Sequence, residues 1–514
     1  MVFSDLLLSV VAGDSIIPAV VVLLAAIAFF NLIQRLVFSP LRSIPGPLLW
    51  RVTRLPGLYA SWAGYEPSLY TAQFRAYNSP IIRIGPNEVL LADGSALAPI
   101  YVASGGMDKA ECYSNFDIDG HPTIFSGVDK THRSIWSRAV TGMFATRTIR
   151  ERETALQDAI KDGVGRLLRE RQHALVHGGS IDLLSACRAI SLDMVTAYSF
   201  GSSYGGSSEC AGELAVGAFV DAFVAVGRFF YLPSWVFVPL STFSQWAFDP
   251  PEIARSFERV DKFVRDLVVA SHDDDMTYQG RLLERGLSND EVVAQCKDII
   301  FAGVDTVGMN LTILCWNLAR QPAIYDRLKD ELRKAKSQSP SVDPATLPFF
   351  QGCVKEALRL SMANTARLPR VVPEGGWDYE PANDFTYIES TPSNKYSQRA
   401  YFLPAGTLVS VQMHTLHHNP AVFTDPFRFD PDRWSTASDT QLEKMNRDLI
   451  PFSVGSRQCI ARNLAMTELY AAGAAIVEVG ALGGASCVRD KIEIFEWFNA
   501  RVKGKRVDVE FRKT

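Results

Sequence analysis

One cysteine, Cys459, stands in a segment whose pattern could make its sulfur a metal ligand. The segment reads PFSVGSRQCIARN over residues 451–463, so that Gly455 and Arg457 precede the cysteine and a helical apolar pattern follows it. A thiolate at a helix N-terminus is stabilised by the helix dipole and by free backbone N–H groups, and a nearby arginine adds to this. A single buried cysteine is more often an inert apolar side chain. Taken alone, Cys459 leaves both interpretations open.

A second stretch with chemical potential is FAGVDTVG, residues 301–308. Ala302 and Gly303 have little or no side chain, which leaves room for a flat ligand and O2 to approach the backbone, and glycine also lets a helix open locally. Asp305 and Thr306 supply a carboxylate and a hydroxyl that could relay protons to oxygen bound nearby. The same five letters, AGVDT, would also suit an ordinary kinked core helix.

The stretch 301–308 lies within the clearest predicted helix of the chain. Ser288 or Asn289 provides the N-cap, two acidic residues occupy the first turn, and the pattern runs to about Arg320, where Pro322 stops it. This corresponds to roughly eight or nine turns. Such a helix is long enough to cross a whole domain.

Composition excludes several classes of protein. The chain has 514 residues, of which 47% are hydrophobic and 21% charged, and its net charge is -4. This charge balance gives no support to nucleic-acid binding, which favours a basic surface. The eight cysteines include no C-x-x-C pair, so the sequence predicts neither a zinc knuckle nor a disulfide framework.

The N-terminal region predicts one membrane span. Residues 15–34 are twenty consecutive uncharged residues, about enough for a helix to cross a hydrocarbon core. Asp5 and Asp14 precede the run and Arg35 and Arg42 follow it, which places the rest of the chain in the cytosol. A buried core helix is the alternative.

The predicted organisation has four parts. Residues 1–14 form a lumenal N-terminus, 15–34 the transmembrane anchor, 35–50 a Pro-rich hinge and 51–514 one cytosolic domain. The domain shows no internal repeat or low-complexity linker. Its pattern is mainly helical, with strand-like pieces at Pro80–Ala92 and in RVDVEFR near the C-terminus.

The cysteine segment resembles a known cofactor loop. The string FSVGSRQCIA matches the haem-binding loop of the cytochrome P450 family, Phe-x-x-Gly-x-Arg-x-Cys-x-Gly, at every fixed position but the last, where Ala461 replaces glycine. The stretch 301–308 is similar to the oxygen-binding groove of the same family, Ala-Gly-x-Asp-Thr.

Two further stretches carry the resemblance. In KEALRL, Glu356 and Arg359 match the family's Glu-x-x-Arg pair, and their spacing places them on one helix face. In FRFDPDRW, Arg433 matches the third member of the triad that, in the family, locks together beneath the haem. The resemblance implies that this triad supports the cysteine loop structurally.

The resemblance implies a mainly α protein with a small β region, the cytochrome P450 fold, preceded by one N-terminal transmembrane helix. It implies haem b as the cofactor, with Cys459 as the axial ligand of the iron, and Asp305 and Thr306 as the catalytic proton relay. Residues implied to bind the haem are Cys459, Arg457, Arg370, His132, Phe452, Ala302 and Gly303.

The sequence departs from the family pattern in two places. In THRSIWSRAV the family has Trp or His followed four residues later by Arg; His132 fits, but Trp136 occupies the Arg position. Arg133, Arg138 or the Trp136 indole could then contact a haem propionate. Residues 377–400 are longer than the usual turn between these strands and are predicted to be an exposed polar insertion.

Position in the family pattern also predicts the substrate pocket. The apolar stretch Ala218–Phe243 should be core helix or dip into the bilayer at the substrate entrance, and either role favours an apolar substrate. The predicted pocket segments are Cys112–Ile124, Phe219–Phe230, Phe301–Thr306, Asn364–Leu368 and Glu496–Ala500.

The implied function is that of an endoplasmic-reticulum haem-thiolate monooxygenase resembling fungal microsomal (class II) members. It would insert one oxygen atom from O2 into an apolar small molecule, such as a polyketide, terpenoid or alkaloid intermediate of secondary metabolism. The sequence shows no flavin or nicotinamide fingerprint, so a separate NADPH–cytochrome P450 reductase, with cytochrome b5 as a further donor, is the implied partner.

Two other functions are kept open. A haem-thiolate isomerase or dehydratase would use no external O2, and the Asp305–Thr306 pair argues against it. A non-enzymatic membrane haem sensor would need neither a proton relay nor an apolar entrance. NADPH consumption in the presence of a reductase would separate the sensor from the monooxygenase.

Overall fold

The computed structural model describes residues 16–209, 216–248, 251–271, 276–382 and 399–511. Helices dominate these residues and the strands are short, which confirms the predicted mainly α fold with a small β region. The α-helices are α1 (Ile16–Ile33), α2 (Leu48–Val52), α3 (Leu55–Ala63), α4 (Glu66–Tyr77), α5 (Lys130–Thr141), α6 (Thr146–Glu151), α7 (Glu153–His177), α8 (Leu183–Phe200), α9 (Gly217–Val226), α10 (Ser234–Phe248), α11 (Pro251–Ala270), α12 (Tyr278–Glu284), α13 (Asn289–Arg320), α14 (Pro322–Gln338), α15 (Pro348–Ser361), α16 (Met413–His417), α17 (Arg433–Thr436), α18 (Asp439–Asp448) and α19 (Arg462–Glu478). The strands are β1 (Ile81–Gly85), β2 (Glu88–Leu91), β3 (Asp108–Lys109), β4 (Ser180–Asp182), β5 (Arg370–Val371), β6 (Trp377–Tyr379), β7 (Tyr401–Leu403), β8 (Leu408–Val411), β9 (Ala485–Cys487), β10 (Ile494–Glu496), β11 (Ala500–Val502) and β12 (Asp508–Phe511).

Helix α13 is the central element of the helical core and has the predicted bounds. Ser288 caps it: the Ser288 side chain accepts from the Glu291 N–H, and the Glu291 carboxylate accepts from the Ser288 N–H at 2.8 Å. Pro322 begins the next helix, so the chain turns there. Most α13 side chains are buried against α8, α15, α11 and α19. The helix therefore runs through the domain and can present one face to a cavity.

A five-stranded mixed sheet forms the second layer, in the order β1-β2-β8-β5-β3. β1 and β2 form an antiparallel hairpin within the predicted segment Pro80–Ala92, and β2 runs parallel to β8. Strand β12, which lies in the predicted C-terminal strand, pairs with β4 and β9 in a separate sheet. The large sheet matters for the site because the edge strand β3 and its neighbour β5 carry Lys109 and Arg370 opposite each other.

Among the described residues, two helices are long and apolar enough to cross a membrane. One is α13, whose apolar stretch is mostly buried inside the domain, as expected of a core helix. The other is Val20–Phe38, near the N-terminus. None of the residues of this helix is buried in the described structure. This second helix is a candidate membrane span and overlaps the predicted anchor at residues 15–34. The predicted lumenal segment, residues 1–14, lies outside the described residues.

The predicted insertion at residues 377–400 begins and ends in a two-stranded sheet. β6 and β7 pair antiparallel, with Trp377 opposite Leu403 and Tyr379 opposite Tyr401. Residues 383–398 lie outside the described part of the chain. The two strands hold the ends of the insertion together at the edge of the domain.

Candidate active site

A cavity of about 280 Å³ lies between α13, the cysteine segment and the chain that leads from α15 into β5. Four of the five predicted pocket segments contribute side chains to it. The fifth, residues 219–230, does not line this cavity: Phe230 packs behind Phe498, with ring centroids 4.5 Å apart. Members of the other four segments that line the cavity are Tyr113, Ile124, Ala302, Gly303, Thr306, Asn364, Leu368 and Phe498.

The cysteine segment folds into a tight loop that presents Cys459 to the cavity. The Cys459 N–H donates to the Phe452 carbonyl at 2.9 Å, which closes the loop, and α19 begins at Arg462. Gly455 has φ +80°, and a Cβ at this position would lie 1.8 Å from the Tyr101 carbonyl oxygen. Only glycine fits both the left-handed backbone and this close approach. Phe452 and Cys459 both line the cavity.

The Cys459 thiol is open to the cavity but shielded from bulk water. This desolvation raises the pKa of Cys459 to about 11, and a hydrogen bond from the Ala461 N–H lowers it in part. The arginine expected to assist the thiolate does not face it, because the Arg457 guanidinium donates to the carbonyls of Gly127 at 3.0 Å and Val128 at 3.3 Å. A metal cation bound to the sulfur would therefore be needed to stabilise the thiolate form of Cys459.

Four cations meet at one end of the cavity: Lys109, Arg133, Arg370 and Arg457. Burial and repulsion from Arg133 and Arg370 lower the pKa of Arg457 to about 10. Burial and the three arginines also lower the pKa of Lys109 well below its usual value. Within the described chain, no carboxylate makes an ion pair with any of the four. This end of the cavity is therefore suited to a group that carries two or more negative charges.

The strand register explains why two of these cations lie so close together. Lys109 of β3 stands directly opposite Arg370 of β5. Like charges opposite each other in a sheet are unfavourable unless an anion balances them. Arg370 has no acidic partner in the described chain. Its guanidinium donates to the Tyr113 hydroxyl at 3.0 Å. Sequence reasoning identified Arg370 and Arg457 but missed Lys109, for which strand pairing is the only signal.

Arg133, Arg138 and Trp136 of α5 are the three candidates to take the role of the arginine that the family has in this helix, and they lie in different surroundings. Arg133 lines the cavity and donates to the Ser456 carbonyl at 3.1 Å. Arg138 is exposed and donates to Ser134 of its own helix. His132 is also exposed, stacks on Trp136, and neither of these rings lines the cavity. Arg133 is thus the member of this helix that lines the cavity with the other cations, whereas His132, predicted to bind the haem, does not line it.

Ala302, Gly303 and Thr306 form the α13 side of the cavity. The Thr306 hydroxyl donates to the Ala302 carbonyl at 2.7 Å, and the helix continues through this turn without opening. A Cβ on Gly303 would lie 2.7 Å from the Val195 side chain of α8. The main structural role of Gly303 is therefore to let α8 pack closely on α13, and the sequence analysis did not assign this role.

Asp305 points away from the cavity into a buried polar network. Its carboxylate accepts from Arg188 at 2.7 Å and from Asn499 at 3.1 Å, and Arg188 also pairs with Asp221 at 3.0 Å. Burial raises the pKa of Asp305, and the nearby Arg188 opposes that rise. The structure thus separates the two predicted relay groups: Thr306 faces the cavity and Asp305 does not.

Two buried carboxyl groups on the cavity wall were missed by sequence reasoning. Burial raises the pKa of Glu468, on α19, to about 8, and its Oε1 has no hydrogen-bond partner within the described residues. Burial raises the pKa of Asp298, on α13, to about 6, although Thr123 and Phe125 donate hydrogen bonds to it. For Glu468, an acidic residue within a mostly apolar helical stretch was the available signal; Asp298 directly follows Lys297 and has no such signal.

The predicted triad Glu356, Arg359 and Arg433 comes together outside the cavity. Arg359 makes two 2.9 Å hydrogen bonds to Glu356, and the Arg433 Nε lies 3.2 Å from the same carboxylate. Arg359 also donates to the His417 carbonyl at 3.0 Å, while the His417 imidazole accepts from the Ile450 N–H at 3.0 Å. This chain of contacts links the triad to the start of the cysteine loop.

The chain is similar to known proteins over most of its length. The family model described as Cytochrome P450 matches residues 130–478. A cytochrome P450 monooxygenase of Annulohypoxylon moriforme is 32% identical, over 97% of this chain and 99% of the relative. A cytochrome P450 monooxygenase of Aspergillus terreus is 28% identical over 89% and 90%, and an N-acetyltryptophan 6-hydroxylase of Emericella nidulans is 26% identical over 90% and 90%.

Proposed function

The chain belongs to the cytochrome P450 family and is a haem b monooxygenase with a cysteine thiolate ligand, and on this premise we propose that Cys459 is that ligand. The observation that carries the proposal is that Cys459, Thr306 and the four cations all line a single cavity. The haem, when bound, supplies iron chemistry that activates O2.

The residues around the cavity fit a haem. Cys459 would bind the iron, and Phe452 would contact the ring from the side of the cysteine loop. The two haem carboxylates would pair with the four cations that lack acidic partners in the described chain. Because these side chains belong to β3, α5, β5 and the cysteine loop, binding would also tie the sheet to the helical core.

We propose that Thr306 moves protons at the cavity. Its hydroxyl is held by the Ala302 carbonyl, a bond it can exchange for one to a water or to bound oxygen without leaving the helix. Asp305 can act as a proton source only if its carboxylate leaves Arg188 and Asn499. In its present position it orients the α13 turn that carries Thr306.

We propose an apolar substrate, of the kind made in fungal secondary metabolism: a polyketide, terpenoid or alkaloid intermediate. Aromatic side chains form part of the cavity wall: the Phe125 ring centroid lies 5.9 Å from that of Tyr113 and 5.8 Å from that of Phe498. Such a wall favours flat or apolar molecules because aromatic rings offer a large apolar contact area. One of the fungal relatives is by name a hydroxylase of N-acetyltryptophan, a molecule that contains a flat indole ring.

We propose that α1 anchors the protein as a single pass in the endoplasmic-reticulum membrane, with the catalytic domain in the cytosol. Two groups of exposed apolar residues support contact of the domain with the bilayer. One group lies on α2 and α3 and the other lies on α10, within the stretch Ala218–Phe243. They are Leu48, Leu49, Leu55, Trp62, Trp235, Val238 and Phe243.

The family implies a redox partner, and we propose NADPH–cytochrome P450 reductase, with cytochrome b5 as a further donor. The test uses microsomes that carry the full chain and the reductase, a panel of apolar aromatic compounds, NADPH and isotopically labelled O2. We expect a product that contains one labelled oxygen atom and forms only when both NADPH and reductase are present. An unlabelled product formed without NADPH would instead identify an isomerase or dehydratase, and haem binding without any product would favour a sensor.

The same assay tests the role of Thr306. Thr306→Ala should lower product formed per NADPH at least about tenfold, with hydrogen peroxide released instead, because the proton-carrying hydroxyl is lost from the cavity. Thr312→Ala is the matched control: Thr312 makes the same 2.7 Å bond to a carbonyl four residues earlier, but it does not line the cavity. Equal coupling in the two variants would contradict the role given to Thr306.

The assignment of the cationic end can be tested without turnover. Arg133→Gln should increase the rate at which haem transfers to an apo-globin acceptor by about tenfold, because it removes one charge-assisted hydrogen bond to a haem carboxylate. Arg138→Gln, on the same helix but exposed, should transfer haem at the wild-type rate. If the two variants lose haem equally fast, Arg133 does not hold the cofactor.

A further inference from the structure

Four arginines gather where the apolar N-terminal helix meets the domain: Arg35, Arg42, Arg51 and Arg83. Arg83, on β1, is fully buried, whereas Arg35 and Arg42 are exposed and Arg51 is half-buried. They come from the end of the helix, the hinge, α2 and the first strand of the sheet. The fold, and not the sequence spacing, therefore assembles this cluster.

The four guanidinium groups bind backbone carbonyls. Arg83 donates to the carbonyls of Gly85 at 3.2 Å and Arg35 at 3.3 Å, and so ties β1 to the end of the apolar helix. Arg51 donates to the carbonyls of Arg42 and Gly46 at 3.3 Å. Each exposed arginine keeps N–H groups for which no protein acceptor is present in the described chain. These N–H groups are available to an external acceptor.

The positive charge of the cluster is not balanced by the described protein. Arg54 forms an ion pair with Glu88 at 2.8 Å, and Glu88 also binds Arg367, so this carboxylate is already used. No carboxylate in the described residues lies within ion-pair distance of the four clustered arginines. Burial, and then repulsion from Arg51 and Arg35, lowers the pKa of Arg83 to about 10. An anion bound among the four arginines would balance their positive charge and would counter the repulsion that lowers the pKa of Arg83.

The position of the cluster indicates the source of the anion. The apolar helix Val20–Phe38 is exposed along its length and leads directly into the arginines. Val37 and Phe38 lie between Arg35 and Arg42 in the chain, Leu48 and Leu49 precede Arg51, and all four apolar residues are more than half exposed. Cations beside an apolar rim at the end of a membrane span lie at the depth of the lipid headgroups.

We propose that Arg35, Arg42 and Arg51 of this cluster bind the phosphate headgroup of an anionic phospholipid in the cytosolic leaflet, while the buried Arg83 holds the backbone of Arg35 and Arg51 in place. The inference rests on the proposed anchoring of α1 in a membrane. Guanidinium groups recognise phosphate oxygens through paired, charge-assisted hydrogen bonds. Because Arg83 connects the helix end to β1, a bound headgroup would also fix the catalytic domain relative to the membrane surface.

The test uses the haem-loaded full chain in nanodiscs of phosphatidylcholine mixed with a minor fraction of phosphatidic acid. After release of the protein, native mass spectrometry identifies the lipids that remain bound. We expect the retained lipid to be enriched in phosphatidic acid, and Arg35→Gln/Arg51→Gln to reduce that enrichment more than about tenfold, since each arginine near a membrane surface contributes about fivefold. Arg147→Gln/Arg150→Gln, two exposed arginines on α6, should retain the lipid as the wild type does.

Three results would overturn the inference. Retained lipid that mirrors the nanodisc mixture, retention of inorganic phosphate without lipid, or equal enrichment in the two double variants would each show that the cluster is not a phospholipid site. Failure of the proposed membrane anchoring would look different, because the protein would then not enter nanodiscs of any composition. The carbon-monoxide spectrum of each variant reports whether its haem site remains intact.

Discussion

Replacing Cys459 with serine is expected to abolish monooxygenase activity while leaving the protein able to fold. Serine keeps the Cys459 N–H bond to Phe452 and the turn at Gly455, so the loop geometry does not depend on the sulfur. A hydroxyl cannot replace the thiolate, whose electron donation to the iron supports cleavage of O2 in this family. We expect the red-shifted Soret band of reduced, carbon-monoxide-bound haem to disappear, with loss of product by more than about a thousandfold.

The control for this variant is Cys487→Ser. Cys487 is another free, partly exposed cysteine, but it lies on β9 and its sulfur contacts the Trp316 carbonyl, away from the cavity. This variant should keep both the spectrum and the activity of the wild type. A Cys459→Ser protein that keeps the thiolate spectrum, or a Cys487→Ser protein that loses it, would refute the assignment of the ligand.

Local patterns predicted the elements whose information is contiguous in the chain. The cap, first turn and stop of α13 lie within a few residues of its ends, so its bounds could be read directly. The spacing of Glu356 and Arg359 also predicted their contact, because i,i+3 neighbours on a helix always share a face. The sequence pattern that identifies the cysteine loop is likewise contained in ten consecutive residues.

What could not be predicted depends on pairing across the fold. Lys109 joins the cationic end because β3 pairs with β5, and Arg133 joins it because α5 packs beside the cysteine loop, where Arg133 contacts the Ser456 carbonyl. Asp305 and Thr306 are neighbours in sequence, yet successive residues on a helix point about 100° apart, so only one of them faces the cavity. The partner that draws Asp305 away, Arg188, is more than a hundred residues distant.

Replacing Glu356 with alanine is expected to prevent the protein from holding haem. The Glu356 carboxylate is fully buried and accepts from Arg359, from the Trp434 indole at 3.2 Å and from the Asp430 N–H at 3.0 Å. Its removal leaves Arg359, which has no solvent-exposed surface, without a counter-charge. Breaking a buried pair in this way costs about 3–5 kcal/mol, a large part of the roughly 5–15 kcal/mol that stabilises a folded domain.

Two further variants separate a loss of charge from a general loss of stability. Glu356→Gln keeps the shape and the acceptor for Trp434 but not the charge, so it should still fold, with a lower melting temperature and a reduced haem content. Glu151→Ala removes an exposed partner of Arg147 and should change the free energy of unfolding by less than about 1 kcal/mol. Because Arg359 contacts the His417 carbonyl and the His417 ring contacts Ile450, the damage should reach the cysteine loop. Glu356→Gln protein with wild-type haem content and thiolate spectrum would show that the triad does not support the ligand loop.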